Sequence, residues 1–69
     1  MNTFPELVRT HCDDMSAEAL RDITGWTWTR CRQIKRGLLK PEQISFFEAC
    51  HLSNCVGLPI EDMASALSH

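Results

Sequence analysis

Apolar residues recur along this 69-residue chain at three- and four-residue spacing, and no stretch of useful length shows the alternation of a strand. Proline, glycine and hydroxyl residues interrupt the recurrence at short intervals, so the pattern predicts several short helices. Pro5 suits the first turn of a helix running to about Cys12, with Leu7, Val8 and His11 on one side. Ser16 is a good N-cap for a second helix, Met15 and Leu20 are spaced as a hydrophobic staple, and Gly25 supplies a left-handed end. Thr27 caps a third helix, Trp28 to Arg36, with Trp26 and Cys31 as its staple and Gly37 as its closure. Pro41 opens a fourth, whose apolar positions Ile44, Phe47, Cys50 and Leu52 follow helical spacing to an end between Leu52 and Val56. Pro59 starts a fifth carrying Ile60, Met63, Ala64 and Leu67. The expected fold class is all-α, a compact bundle of about five short helices forming one domain over residues 1–69.

Hydrophobic residues at 43% and charged residues at 23% are those of an ordinary globular domain. A chain this short buries only about 60% of its unfolded surface, which leaves little core to hold a preorganised pocket. No catalytic residue is expected. His11, His51 and His69 are scattered, and the adjacent pairs Asp13-Asp14 and Glu61-Asp62 suit helix dipoles better than acid–base chemistry. Cys12, Cys31, Cys50 and Cys55 form no CxxC pair, and His11-Cys12 with Cys50-His51 and Cys55 lacks zinc-site spacing. Reduced thiols acting as small buried hydrophobes are expected, with no metal and no cofactor. No apolar run approaches the roughly 20 residues of a membrane helix, and MNTFPELVRT does not resemble a signal peptide, so cytoplasmic residence is expected.

Charge changes this picture. The formal net charge is -2, yet Ile23 to Pro41 holds five basic residues and no acid. That segment carries +5, and the remainder, with two basic and nine acidic residues, carries -7. One basic face on an acidic body is a phosphate-binding arrangement, and it draws on Arg30, Arg32, Lys35, Arg36 and Lys40.

The second and third helices are joined by Gly25-Trp26-Thr27, a short link that sets two helices at a steep angle, as in a helix-turn-helix spanning about 16–37. Leu20, Trp26, Cys31 and Ile34 then point inward, leaving Trp28, Thr29, Arg32, Gln33 and Arg36 on the outer side. Arg bonds guanine in bidentate fashion, Gln bonds adenine, and Thr offers a hydroxyl and a methyl. Lys35, Arg36 and Lys40, at or past the helix end, are placed for phosphates.

The stretch Ser16 to Gly37, SAEALRDITGWTWTRCRQIKRG, resembles the helix-turn-helix of the Cro and phage-repressor (xenobiotic-response-element) family. Leu20, Gly25 and Gly37 keep that family's spacing, with apolar positions at Trp26, Cys31 and Ile34, a proline at Pro41, and a closing segment GLPIEDM from Gly57 to Met63. The resemblance implies a lambda-repressor-like fold, base contacts from Trp28, Thr29, Arg32 and Gln33, and phosphate anchoring at Ser16 and Ala17 where the second helix begins. Ala17 replaces the family's usual glutamine, Arg21 a small alanine and Lys35 a glutamate. The interval from Pro41 to Gly57 is also about three residues longer than usual.

Two classes of function follow. One is a sequence-specific regulator binding double-stranded DNA as a homodimer, a Cro-like repressor in a bacterial or phage setting. The other is a small protein-binding module of the phage-inhibitor or anti-activator type, with Trp28 and the basic face capturing an acidic protein partner. Trp28 faces outward under either, against thymine methyls and sugars or as an interface anchor. Phe46, Ile60, Met63 and Leu67 are candidates for a dimer seam, or else complete the core.

Overall fold

Each predicted helix has a physical start and stop, and the computed structural model, which describes residues 3–68, shows how they are used. The helices are α1 (Phe4–His11), α2 (Ala17–Thr24), α3 (Trp28–Arg36), α4 (Phe46–Val56) and α5 (Ile60–Leu67), with a single 3-10 turn at Pro41–Gln43 and no strand among the described residues. The Ser16 hydroxyl accepts from the Ala19 N–H at 3.0 Å, and the Thr27 hydroxyl accepts from the Arg30 N–H at 3.3 Å. Each satisfies an amide that has no partner inside its helix. Gly37 ends α3 at φ 70°, and a β-carbon there would stand 3.1 Å from Arg9 Cδ, so both the backbone and the neighbour favour glycine.

One core joins the five helices. Phe4 and Val8 come from α1, Leu20 from α2, Cys31 and Ile34 from α3, Ala49 and Leu52 from α4, and Met63 and Ala66 from α5; Cys12, Leu39 and Leu58 enter from the links. The most extensive pairing is α2 on α3, α1 lies against α3 and α5, and α4 bridges α2 and α5. Thr24, buried at the end of α2, fixes the link to α3: its hydroxyl donates to Leu20 O at 2.6 Å and accepts from Trp26 N at 3.2 Å. Trp26 packs half-buried against the core, as its inward phase predicts.

The fourth helix departs from expectation. Pro41 opens only the 3-10 turn, Ile44 is extended at φ -132° and ψ 135°, and the helix restarts under a reciprocal cap. There the Ser45 N–H donates to Glu48 Oε1 at 2.9 Å while the Ser45 hydroxyl accepts from Glu48 N at 3.1 Å. The restart shifts the phase. Ala49, Leu52 and Ser53 turn inward, and Phe47, expected in the core, is 85% exposed. In α5 Met63 is 0% exposed and Leu67 packs half-buried on the core, so neither stands ready for a dimer seam. Ala66 rather than Ala64 faces the core.

Candidate nucleic-acid interface

With Cys31 and Ile34 buried, α3 is held from behind, capped at its start by Thr27 and closed at its end by Gly37. Its opposite side presents Thr29, Arg32, Gln33 and Arg36, which together with Leu38 line a shallow groove of about 230 Å³. Among the described residues these four side chains make no hydrogen bond and no ion pair, so their donors and acceptors are open to a ligand. A larger hollow of about 470 Å³ at the end of α1 is lined by Leu7, Thr10, His11, Asp13 and Asp14, and its carboxylates suit no phosphate.

Trp28 is 41% exposed, and two guanidiniums approach its ring, Arg21 at 5.3 Å and Arg32 at 5.7 Å from the centroid. Arg21, where a small residue would pack between the helices, instead lies exposed over the indole. Sequence reasoning missed that role. The stack restrains Arg32 at the edge of the groove.

Four residues expected at phosphates are engaged inside the molecule. Lys35 Nζ donates to Cys12 O at 3.1 Å and Asp13 O at 3.0 Å, satisfying carbonyls at the C-terminal end of α1. Arg30 forms an ion pair with Glu48, donates to Gln43 O at 3.0 Å and lies 5.0 Å from the Trp26 centroid, tying α3 to the start of α4. The Ser45 backbone N–H, and then the Arg30 guanidinium, hold the Glu48 carboxyl below the ordinary carboxylate range. The Ser16 hydroxyl is taken by its own helix, and Ala17 is half-buried against the core. Arg30 and Lys35 flank the buried row of Cys31 and Ile34, so each reaches a neighbouring element rather than the groove. Arg36 and Lys40 remain exposed.

The cysteines divide into two classes. Cys12 and Cys31 are buried in the core as expected; burial pushes the Cys12 thiol up to about 11, Lys35 offsetting part of the effect, and burial raises Cys31 as well. Cys50 and Cys55 are only half-buried, unlike the core thiols they were expected to be. No three His, Cys, Asp or Glu side chains converge as metal ligands among the described residues. No helix of those residues is long and apolar enough to cross a membrane. No protein-family model, no curated protein and no solved structure matches this chain.

Proposed function

We propose that this chain is a sequence-specific DNA-binding regulator, a Cro-like repressor in which α2, the Gly25–Thr27 link and α3 form a helix-turn-helix and α3 enters the major groove. The observation that carries this is the outer side of α3, where Thr29, Arg32, Gln33 and Arg36 line one groove with unengaged polar groups. Arg32 reads guanine, Gln33 reads adenine, Thr29 offers a hydroxyl and a methyl, and Trp28 lies beside Arg32 against the sugar edge. Arg36, Lys40 and Arg21 meet phosphates, and the α2 backbone amides replace the Ser16 and Ala17 side chains there. A single short helix reads too few bases for useful specificity, so the regulator acts as a homodimer on half-sites about one helical turn apart. Phe46 (63% exposed), Phe47 and Ile60 are the exposed apolar residues that a second copy would cover. Occupying an operator excludes polymerase or a competing regulator.

Selection of bound sequences from random duplex DNA, at low and near-physiological salt, tests the proposal. A palindrome should emerge, and Arg32→Ala and Gln33→Ala should relax its sequence while the fold persists; each lost bidentate pair costs about 1–3 kcal/mol of discrimination. Salt-sensitive binding without any recovered motif refutes base reading. A second reading, capture of an acidic protein, is favoured by exposed Trp28 flanked by two arginines, the residue types that dominate protein interfaces. No retention of DNA even at low salt would select it, and Trp28→Ala would then abolish partner capture.

A further inference from the structure

Arg9 stands in α1, outside the basic segment, and along the sequence it counts toward the acidic remainder. The fold moves it. Where α3 ends, Gly37 leaves the space of a side chain open, and Arg9 lies over it: a β-carbon on Gly37 would stand 3.1 Å from Arg9 Cδ and 3.3 Å from Arg9 Nε. The guanidinium therefore reaches the C-terminal end of α3, with Nε within about 9 Å of the Arg36 Cα. Arg9 is exposed, and among the described residues it makes no hydrogen bond and no ion pair. Glu6 precedes it by one turn and Asp13 follows it closely, yet neither pairs with it. Nor does Arg9 line the acidic hollow at the end of α1. Lys35, by contrast, has its ammonium bonded to Cys12 O and Asp13 O.

Given the DNA-binding function proposed above, on which this rests, we infer that Arg9 is a further phosphate-contacting residue, gripping the DNA backbone beside Arg36 at the C-terminal end of α3. A phosphate approaching that end meets the negative pole of the α3 dipole and the last carbonyls of the helix. A guanidinium lying across the end offsets that repulsion, and its five N–H groups, set in a rigid fork, bind a phosphate in bidentate fashion. No carbonyl or carboxylate among the described residues holds Arg9, so the fork is open to such a ligand. Gly37 has a part in this. Without a β-carbon it lets the Arg9 stem cross close to α3, which restrains a long side chain before any ligand arrives. Arg30 and Lys35 are withdrawn from the basic face by their internal partners, and Arg9 returns one positive charge to it from a different helix.

Binding of the full chain to a pool of random-sequence duplex DNA, over a salt series from about 50 to 200 mM, tests this. Phosphate contacts carry no sequence information, so the slopes decide whether or not a motif is recovered. Arg9→Met and Arg9→Gln keep part of the stem over Gly37 and remove the charge. Each should lower the slope of log affinity against log salt by about 1 per bound chain, so the parent's advantage shrinks about three- to fourfold across the series. Arg9→Lys, which keeps the charge, should restore the slope. All three variants should melt within about 4 °C of the parent, and Lys35→Met, which removes a cation bonded inside the molecule, should leave the slope unchanged. A slope unchanged in both Arg9→Met and Arg9→Gln overturns the assignment and leaves Arg9 as a stem packed on α3. A slope lowered as much in Arg9→Lys as in the uncharged variants overturns it equally. A parent chain that retains no duplex at any salt overturns the DNA-binding function itself, and the Arg9 contact with it.

Discussion

Lys35 is bonded inside the molecule whereas Arg36 and Lys40 are exposed, and replacing Lys35 by methionine tests that division together with the proposed DNA-binding role of the other two. Methionine keeps the apolar stem against the protein and removes only the ammonium. Lost with it are two charge-assisted hydrogen bonds, 3.1 Å to Cys12 O and 3.0 Å to Asp13 O; Cys12 O keeps the Met15 N–H, and Asp13 O is left to water. A hydrogen bond to a charged group contributes about 1.5–3 kcal/mol when well shielded, and a cation at a helix C-terminus about 0.3–1 kcal/mol. Lys35 is half-exposed, so solvent screening lowers the sum to about 1–2 kcal/mol. For a domain of this size that corresponds to a melting temperature lower by about 5–15 °C. Arg36→Ala and Lys40→Ala, with exposed side chains, should change stability by no more than about 0.5 kcal/mol. Circular dichroism melts give the first comparison, and DNA binding across a salt series gives the second. There Arg36→Ala and Lys40→Ala should each reduce the slope of log affinity against log salt by about 1, while Lys35→Met leaves it unchanged. An unchanged melt together with a reduced salt slope for Lys35→Met would refute the internal assignment.

Three further outcomes are expected. The Glu48 carboxyl is held below its unfolded value by Ser45 and Arg30, so its contribution is complete above the ordinary carboxylate range and disappears as pH falls through the lowered folded value; Glu48→Gln should therefore be less stable than the parent at neutral pH and converge with it in acid, followed by urea unfolding at a series of pH values. Leu52→Ala should lose about 2–5 kcal/mol by opening a cavity, whereas Phe47→Ser, on a side chain 85% exposed, should stay within about 0.5 kcal/mol in the same denaturant assay. Gly25→Ala, at φ 74° with open space around a new β-carbon, should cost the left-handed penalty of about 1–2 kcal/mol alone; Gly37→Ala should cost more because Arg9 must also move, and Arg9→Ala should remove that excess in a double-mutant cycle.

The helices whose ends are set by local chemistry were legible in the sequence. Ser16, Thr27, Gly25 and Gly37 act on amides and carbonyls within a few residues, so α2 and α3 start and stop where those residues stand. The fourth helix was misplaced because Pro41 suits a helix start as well as it suits a 3-10 turn. The correct start was also written locally, as Ser45 followed three residues on by Glu48. Choosing it turns Phe47 out and Ala49 in. Burial of Met63 was not local information, because it depends on how much volume α1 and α4 leave for α5 to fill. The placement of Arg9 over Gly37 lay beyond reach for the same reason, since the two are far apart in sequence and meet only once α1 lies against α3.

The division of the basic segment follows from helix geometry once the buried row of α3 is fixed. Each residue advances about 100° around the axis, so Cys31 and Ile34 set a buried direction midway between them. Arg30 and Lys35 fall about 70° to either side of it, Trp28 about 90°, Arg32 and Gln33 about 130°, and Thr29 and Arg36 about 170°. At 70° a long side chain lies along the neighbouring helices and meets their polar groups, as Arg30 does at Glu48 and Gln43 and Lys35 does at the end of α1. At 90° an indole is half covered, which is the position of Trp28. From 130° onward the side chains meet no polar partner, and Thr29, Arg32, Gln33 and Arg36 make no hydrogen bond and no ion pair among the described residues. Counting cations along the segment therefore overstates the charge offered to a partner, since two of its five are answered by the chain itself. What remains is a narrow stripe whose residue types suit base edges better than a broad basic surface would, and the acidic body around it penalises loose attachment to any polyanion. Under the DNA-binding function proposed above, that combination favours a binder that discriminates among sequences over one that coats DNA, because affinity lost at the phosphates would have to be recovered from contacts with the bases.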